Sequence, residues 1–144
     1  MTTSAPLLRR IQPPTLATPP GYSHVVEVRS GRTVYTAGQV ALDREGKLVG
    51  EGDMRAQIEQ VFANVGAALE AAGTDFAHVV KLTTFVTDAK LDNLLAFRDV
   101  RDRHVAPQHA PASTLVQVAR LARPEWLVEI DATAVLSRGP GERG

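Results

Sequence analysis

Residues 127–135 alternate without a break. Val128, Ile130, Ala132 and Ala134 fall on one side and Glu129, Asp131 and Thr133 on the other. A strand of this kind buries one face and leaves the other to water or to a second surface, which commits the chain to a sheet covered on one side. The open face carries two carboxylates two residues apart, so like charges come near each other. Water, a cation or a polar cleft has to receive them. A second short strand is expected at 115–119, directly after Pro111-Ala112-Ser113-Thr114.

The cover for the apolar side is legible upstream. Met54, Ile58, Val61, Phe62, Val65, Leu69 and Ala72 recur at three- and four-residue spacing, which predicts a helix over 53–72 with Asp53 as its N-cap and Gly73 as its stop. A second helix is expected over 91–104, ended before Pro107. Between the helices, 79–87 is rich in β-branched residues and reads as a strand. Near the N-terminus, 7–12 reads as a short edge strand. Segments 23–28 and 32–41 read as two strands joined in a hairpin at Ser30-Gly31. Asp43-Arg44-Glu45-Gly46 reads as a turn. The order strands, helix, strand, helix, two strands implies an α+β layer with both helices on one face of a mixed sheet. Its other face is expected to carry Tyr35, Phe85, Leu115, Leu127 and Val135 among polar residues, too apolar for water and best covered by further copies of the chain.

A chain of 144 residues suits one domain. The expected organisation is an extended segment at 1–20, where Pro13, Pro14, Pro19 and Pro20 oppose a regular helix, one domain over 21–136, and a flexible Gly/Pro/charged tail at 137–144. The formal net charge is zero and no basic run exceeds Arg9-Arg10, so nucleic acid is not an expected partner. There is no cysteine, which removes disulfides, thiolate metal sites and cysteine nucleophiles. No signal peptide or spanning apolar run is present, so the expected location is cytoplasmic and no membrane partner is expected. His24, His78, His104 and His109 show no metal-binding spacing, and no glycine-rich phosphate loop exists. Neither a metal nor an organic cofactor is implied.

The run P-A-S-T-L-V-Q-V-A-R-L followed by V-E-I-D-A-T-A resembles the C-terminal signature of the RidA/YjgF family, also known as endoribonuclease L-PSP. Gly21-Tyr22-Ser23-His24, Thr36-Ala37-Gly38-Gln39, Ala71-Ala72-Gly73, Val79-Val80-Lys81 and Phe85-Val86-Thr87-Asp88 match it in order, so the likeness covers roughly 20–136. The resemblance implies a chorismate-mutase-like fold and a homotrimer whose open sheet faces pack inside, with small-molecule clefts between subunits. It also implies a deaminase-type hydrolase of imines or enamines.

In that frame Glu129 is the candidate catalytic carboxylate, placed to orient or deprotonate an attacking water. The competing reading is a structural glutamate held by backbone N–H groups or by Arg120. Asp131 reads as a solvated rim residue. Tyr22, Ser113, Thr114, Leu115 and Ala37 are the candidate substrate-binding residues, with Tyr22 equally readable as an interface aromatic. Ser113 stands where the family carries an arginine, which marks a divergent member. A serine hydroxyl offers one neutral hydrogen bond where a guanidinium offers a charged fork, a loss of about 2–5 kcal/mol in a desolvated cleft. Small 2-imino acids are therefore not the expected substrates. Gln39 reads as structural. Arg98, Arg101 and Arg103 read as a solvated helix face with Asp99 and Asp102, or as a source of a replacement arginine from a neighbouring subunit. A trimer that binds a small molecule without turnover is the alternative. A ribonuclease or translation inhibitor, resting only on the family's other name, is the third.

Overall fold

The structure, a computed structural model, describes residues 7–137. The expected flexible tail lies outside the described residues except for Ser137, as does the start of the expected N-terminal segment. In chain order the elements are β1 (Leu8–Ile11), β2 (Val25–Val28), β3 (Arg32–Tyr35), α1 (Met54–Ala71), β4 (Val79–Val86), α2 (Leu91–His104), β5 (Ala112–Gln117) and β6 (Val128–Leu136).

The alternating strand β6 lies between β3 and β4, antiparallel to both, in a four-stranded sheet ordered β3-β6-β4-β5. β5 runs parallel to β4, and α2 makes the crossover that a parallel pair requires. The fold is thus α+β, with a mixed sheet. Val128, Ile130, Ala132 and Ala134 are buried on one face, as the alternation predicts, together with Leu82 and Val86 of β4. Against them α1 lays Ile58, Val61, Phe62, Val65 and Leu69, all fully buried. Each such side chain stabilises the fold by roughly 1.5–3 kcal/mol relative to exposure. Asp53 caps α1 by accepting the Ala56 N–H at 3.1 Å. Gly73, at φ +83°, turns the chain out of the helix in a conformation that side chains resist.

Ser30-Gly31 does turn the chain, but the expected hairpin is not formed. β2 pairs with β1 in a separate two-stranded sheet, and β3 pairs with β6. Gly31 sits against the end of β6, where an added Cβ would stand 2.4 Å from the Leu136 carbonyl. β6 therefore captures β3, and β2 is left to the N-terminal strand. The strand expected over 32–41 stops at Tyr35, and beyond it Thr36 still bonds Ala132 and Gln39 bridges to Ile130 of β6.

The open face of the sheet carries Tyr35, Phe85 and Val116 among Lys81, Thr83, Thr114, Glu129, Asp131 and Thr133. Tyr35 is 77% exposed and Val116 40%. Leu115 and Leu127, expected on this face, instead pack against the buried core, and Val135 is itself fully buried. The parity of β5 decides the first case, because Leu115 pairs with the buried Thr84.

His104 closes α2 by stacking on Phe62, ring centroids 5.3 Å apart, and by meeting Phe76 at the same separation. Partial desolvation against these rings, and secondarily Arg103, lowers its pKa from the usual histidine value. A depressed folded-state pKa means that the unfolded chain binds the proton more readily. Stability is therefore full above the unfolded value near 6.5 and is lost as pH falls towards the lower folded value. Urea denaturation of His104→Phe is expected to show a shallower loss of stability below that pH than the parent chain.

Candidate functional site

A cavity of about 250 Å³ opens where α2 meets the edge of the sheet. Leu94, Phe97, Arg98 and Arg101 come from α2, spaced so that they share one helix face. Ser113 and Leu115 come from β5, which pairs on its inner side with β4. Pro20 and Tyr22 complete the lining from the segment before β2. That segment is fastened to the outer side of β5. The Ser23 N–H donates to the Pro111 carbonyl at 2.9 Å and its hydroxyl to the Ala110 carbonyl at 2.6 Å. β5 begins three residues earlier than expected because this bridge and the β4 ladder extend it to Ala112, so Ser113 lies within the strand.

Arg101 is the unexpected member. Its side chain is only 7% exposed, although an unpaired buried charge is costly. Nε and Nη2 donate to Asp102 Oδ1 at 3.0 and 2.8 Å, and Nη2 also donates to the Pro20 carbonyl at 3.3 Å. The guanidinium lies over Gly21, where a Cβ would come 2.2 Å from Nη2. Gly21 also has φ +96°, so both its backbone and its neighbour require glycine. The sequence held the signal: Arg101 lies four residues after Phe97 and seven after Leu94, in phase with the apolar face. It is not part of a solvated face.

Glu129 is elsewhere. Ser113 and Leu115 share the helix-covered face with Leu82 and Thr84, whereas Glu129 pairs with Phe85 on the open face. β4 separates β5 from β6, so the carboxylate and the cavity stand two strands apart, on the order of 10 Å, and on opposite faces. The segment beside Glu129 bulges. Thr36 bonds Ala132 and Gln39 bonds Ile130, three residues spanning two. The bulge brings Gly38 beneath the carboxylate, where a Cβ would stand 2.1 Å from Oε1. Among the described residues nothing donates a hydrogen bond to Glu129. Arg120 donates to the carbonyls of Leu121 and Ala122 instead. Asp131 lies on the same open face, half-buried.

One chain therefore brings Tyr22, Ser113 and Leu115 together and leaves the remaining candidates apart. Ala37 is exposed next to Gly38, on the Glu129 side. Thr114 is exposed on the open face and receives a hydrogen bond from Lys81 Nζ at 2.5 Å. Gln39 bridges to Ile130 through its backbone, with its side chain on the Ala37 carbonyl. His24 contacts the Ala17 carbonyl and meets Tyr22 edge to face. Among the described residues no three His, Asp or Glu side chains gather closely enough to hold a metal ion, and no helix is long and apolar enough to cross a membrane.

The family model Endoribonuclease L-PSP matches residues 14–136. A RutC family protein of Synechocystis is 40% identical over 104 residues, covering 72% of this chain and 78% of its own. A 2-iminobutanoate/2-iminopropanoate deaminase of Capra hircus is 38% identical over 120 residues, covering 83% of this chain and 81% of its own. Among solved structures, that of the Rid-family protein YyfB of Yersinia pestis superposes with a TM-score of 0.82 at 41% identity, covering 90% of this chain and 99% of that one.

Proposed function

This chain belongs to the endoribonuclease L-PSP family, the YjgF/Rid proteins, and on that premise we propose that it hydrolyses reactive imines or enamines in clefts shared between copies of the chain. The observation that carries this reading is the placement of Glu129. A carboxylate with no hydrogen-bond donor among the described residues is seated by a glycine bulge on a sheet face that exposes Tyr35 and Val116, and it is barred by parity from the cavity of its own subunit. Packing the open faces around a threefold axis would cover Tyr35, Phe85 and Val116 and bring Glu129 to the cavity of a neighbour. The deaminase of Capra hircus supports the choice of reaction.

The chemistry asks little of the protein. Glu129 takes a proton from water as the water oxygen bonds to the imine carbon, the C=N electron pair passes to nitrogen, and the carboxyl hands that proton to the nitrogen. The carbinolamine then collapses. Its hydroxyl gives its proton to the same carboxylate as C=O forms, the C–N bond breaks, and the carboxyl passes that proton to the departing nitrogen. Imine and water become ketone and ammonia, with no redox change. Tyr22 and Ser113 position the substrate, and Leu115, Phe97 and Leu94 exclude water around it. Because Ser113 replaces the family's arginine, the preferred substrates differ from the smallest 2-imino acids.

The test generates imines in place from alanine or leucine with an amino-acid oxidase, and semicarbazide competes for them. Faster loss of imine, with the leucine product favoured, supports the reading. An unaccelerated loss overturns it and leaves the alternative, an assembly that binds a small molecule without turnover.

A further inference from the structure

We propose that the cavity takes an organic anion, a carboxylate on an apolar body, and that Arg101 and Arg98 of α2 hold the charge from within the same chain. The proposal rests on the reading of this cavity as the ligand site and names the ligand's class. Three observations carry it.

First, Arg101 is buried, yet its hydrogen bonds leave an edge of the guanidinium open. Nε and Nη2 are taken by Asp102 and Pro20, while Nη1 donates to no described residue. A desolvated cation with free N–H groups on a cavity is completed by an acceptor, and charge-assisted bonds are strongest there. Secondly, the fold holds the group in place. Gly21 leaves the space that Nη2 fills, and the Pro20 carbonyl fixes its height, so the anchor is ordered before any ligand arrives. Thirdly, the site keeps a net positive charge, because Asp102 balances only one of its two guanidinium groups. Asp99 is engaged with Arg55 at 2.7 Å and lies near Arg103, while Arg98 pairs with no described residue and lines the same cavity.

The rest of the lining fixes what the anion is attached to. Leu94, Phe97 and Leu115 surround the arginines with apolar surface, and Ser113 adds one hydroxyl. A volume of about 250 Å³ in one chain is enough for a small aryl or branched aliphatic acid. The short serine at 113 frees space that a long cationic side chain on β5 would occupy, and the charge enters from the helix instead.

The experiment is calorimetric titration of phenylacetate and of its neutral isostere phenylacetamide into the full chain. Phenylacetate is expected to bind at least roughly tenfold more tightly than the amide. Arg101→Met is expected to erase that preference, and Arg98→Ala to reduce it several-fold while flattening its salt dependence. If Arg101→Met fails to fold by circular dichroism, Arg98→Ala and the acid-to-amide ratio decide. Equal affinities for acid and amide, no detectable binding of either at millimolar concentration, or an acid preference untouched in the folded variants would overturn the proposal. Binding that depends on Arg101 in a protein with no imine turnover would remove the deaminase reading and leave this one standing.

Discussion

Imine hydrolysis by Glu129→Gln is expected to fall about 10²–10⁴-fold below the parent chain, the range over which a positioned acid–base group contributes. Glutamine keeps the shape that packs on Gly38, so the bulge at 36–39 and the ladder to Ile130 should survive and the far-ultraviolet spectrum should not change. What the amide lacks is the ability to take a proton from water and hand it back to nitrogen. Glu129→Asp separates position from chemistry. It retains the carboxylate but withdraws it by one methylene, and an intermediate rate is expected. A turnover unchanged in Glu129→Gln would mean that the carboxylate over Gly38 is structural.

Gln57→Leu should destabilise the fold by about 3 kcal/mol or more, although it replaces a buried polar group by an apolar one of similar size. Gln57 is fully buried within the apolar stripe of α1. Its Nε2 donates to the carbonyls of Gly50 and Glu125 at 3.1 and 3.0 Å, and its Oε1 accepts the Leu127 N–H at 2.9 Å. Leucine would leave those backbone groups unpaired in the interior, each costing roughly 1–3 kcal/mol. For a chain of this size the melting temperature should drop by about 10 °C. Because Leu127 leads directly into β6, the same change should also loosen the register that presents Glu129. A melting temperature within about 2 °C of the parent would show that water or relaxation replaces the side chain.

The sequence patterns with strong periodicity were the ones the structure repeats. The alternation of β6 and the stripe of α1 each report burial on a single face, and the second helix spans Leu91–His104, the range its spacing predicts. Pairing partners were harder. Ser30-Gly31 is a turn by every local criterion, yet the two strands it joins choose distant partners, because β6 offers β3 a buried neighbour and β2 cannot compete. Tyr22, Ser113 and Leu115, named from a motif, line one cavity together. Arg101 lies in phase with the apolar face of α2, but its neighbours Asp99, Asp102 and Arg103 give that stretch the look of a solvated face. Gln57 was missed for the related reason that a glutamine within an apolar stripe carries no mark of the three carbonyl and amide groups that converge on it. The separation of Glu129 from the cavity depends on the parity of β5 against β4 and becomes visible only once the register is known.

The central claim is that the working site is built from two copies of the chain. Mixing Glu129→Gln with Ser113→Trp, a substitution that fills the cavity, tests it most directly. Each variant alone should be inactive on imines, and refolding them together in equal amounts should restore about a quarter of the parent activity. That is the fraction of interfaces joining an intact cavity to an intact Glu129 in a heterologous ring. No recovery in mixed assemblies, with both variants folded and assembled, would contradict the account.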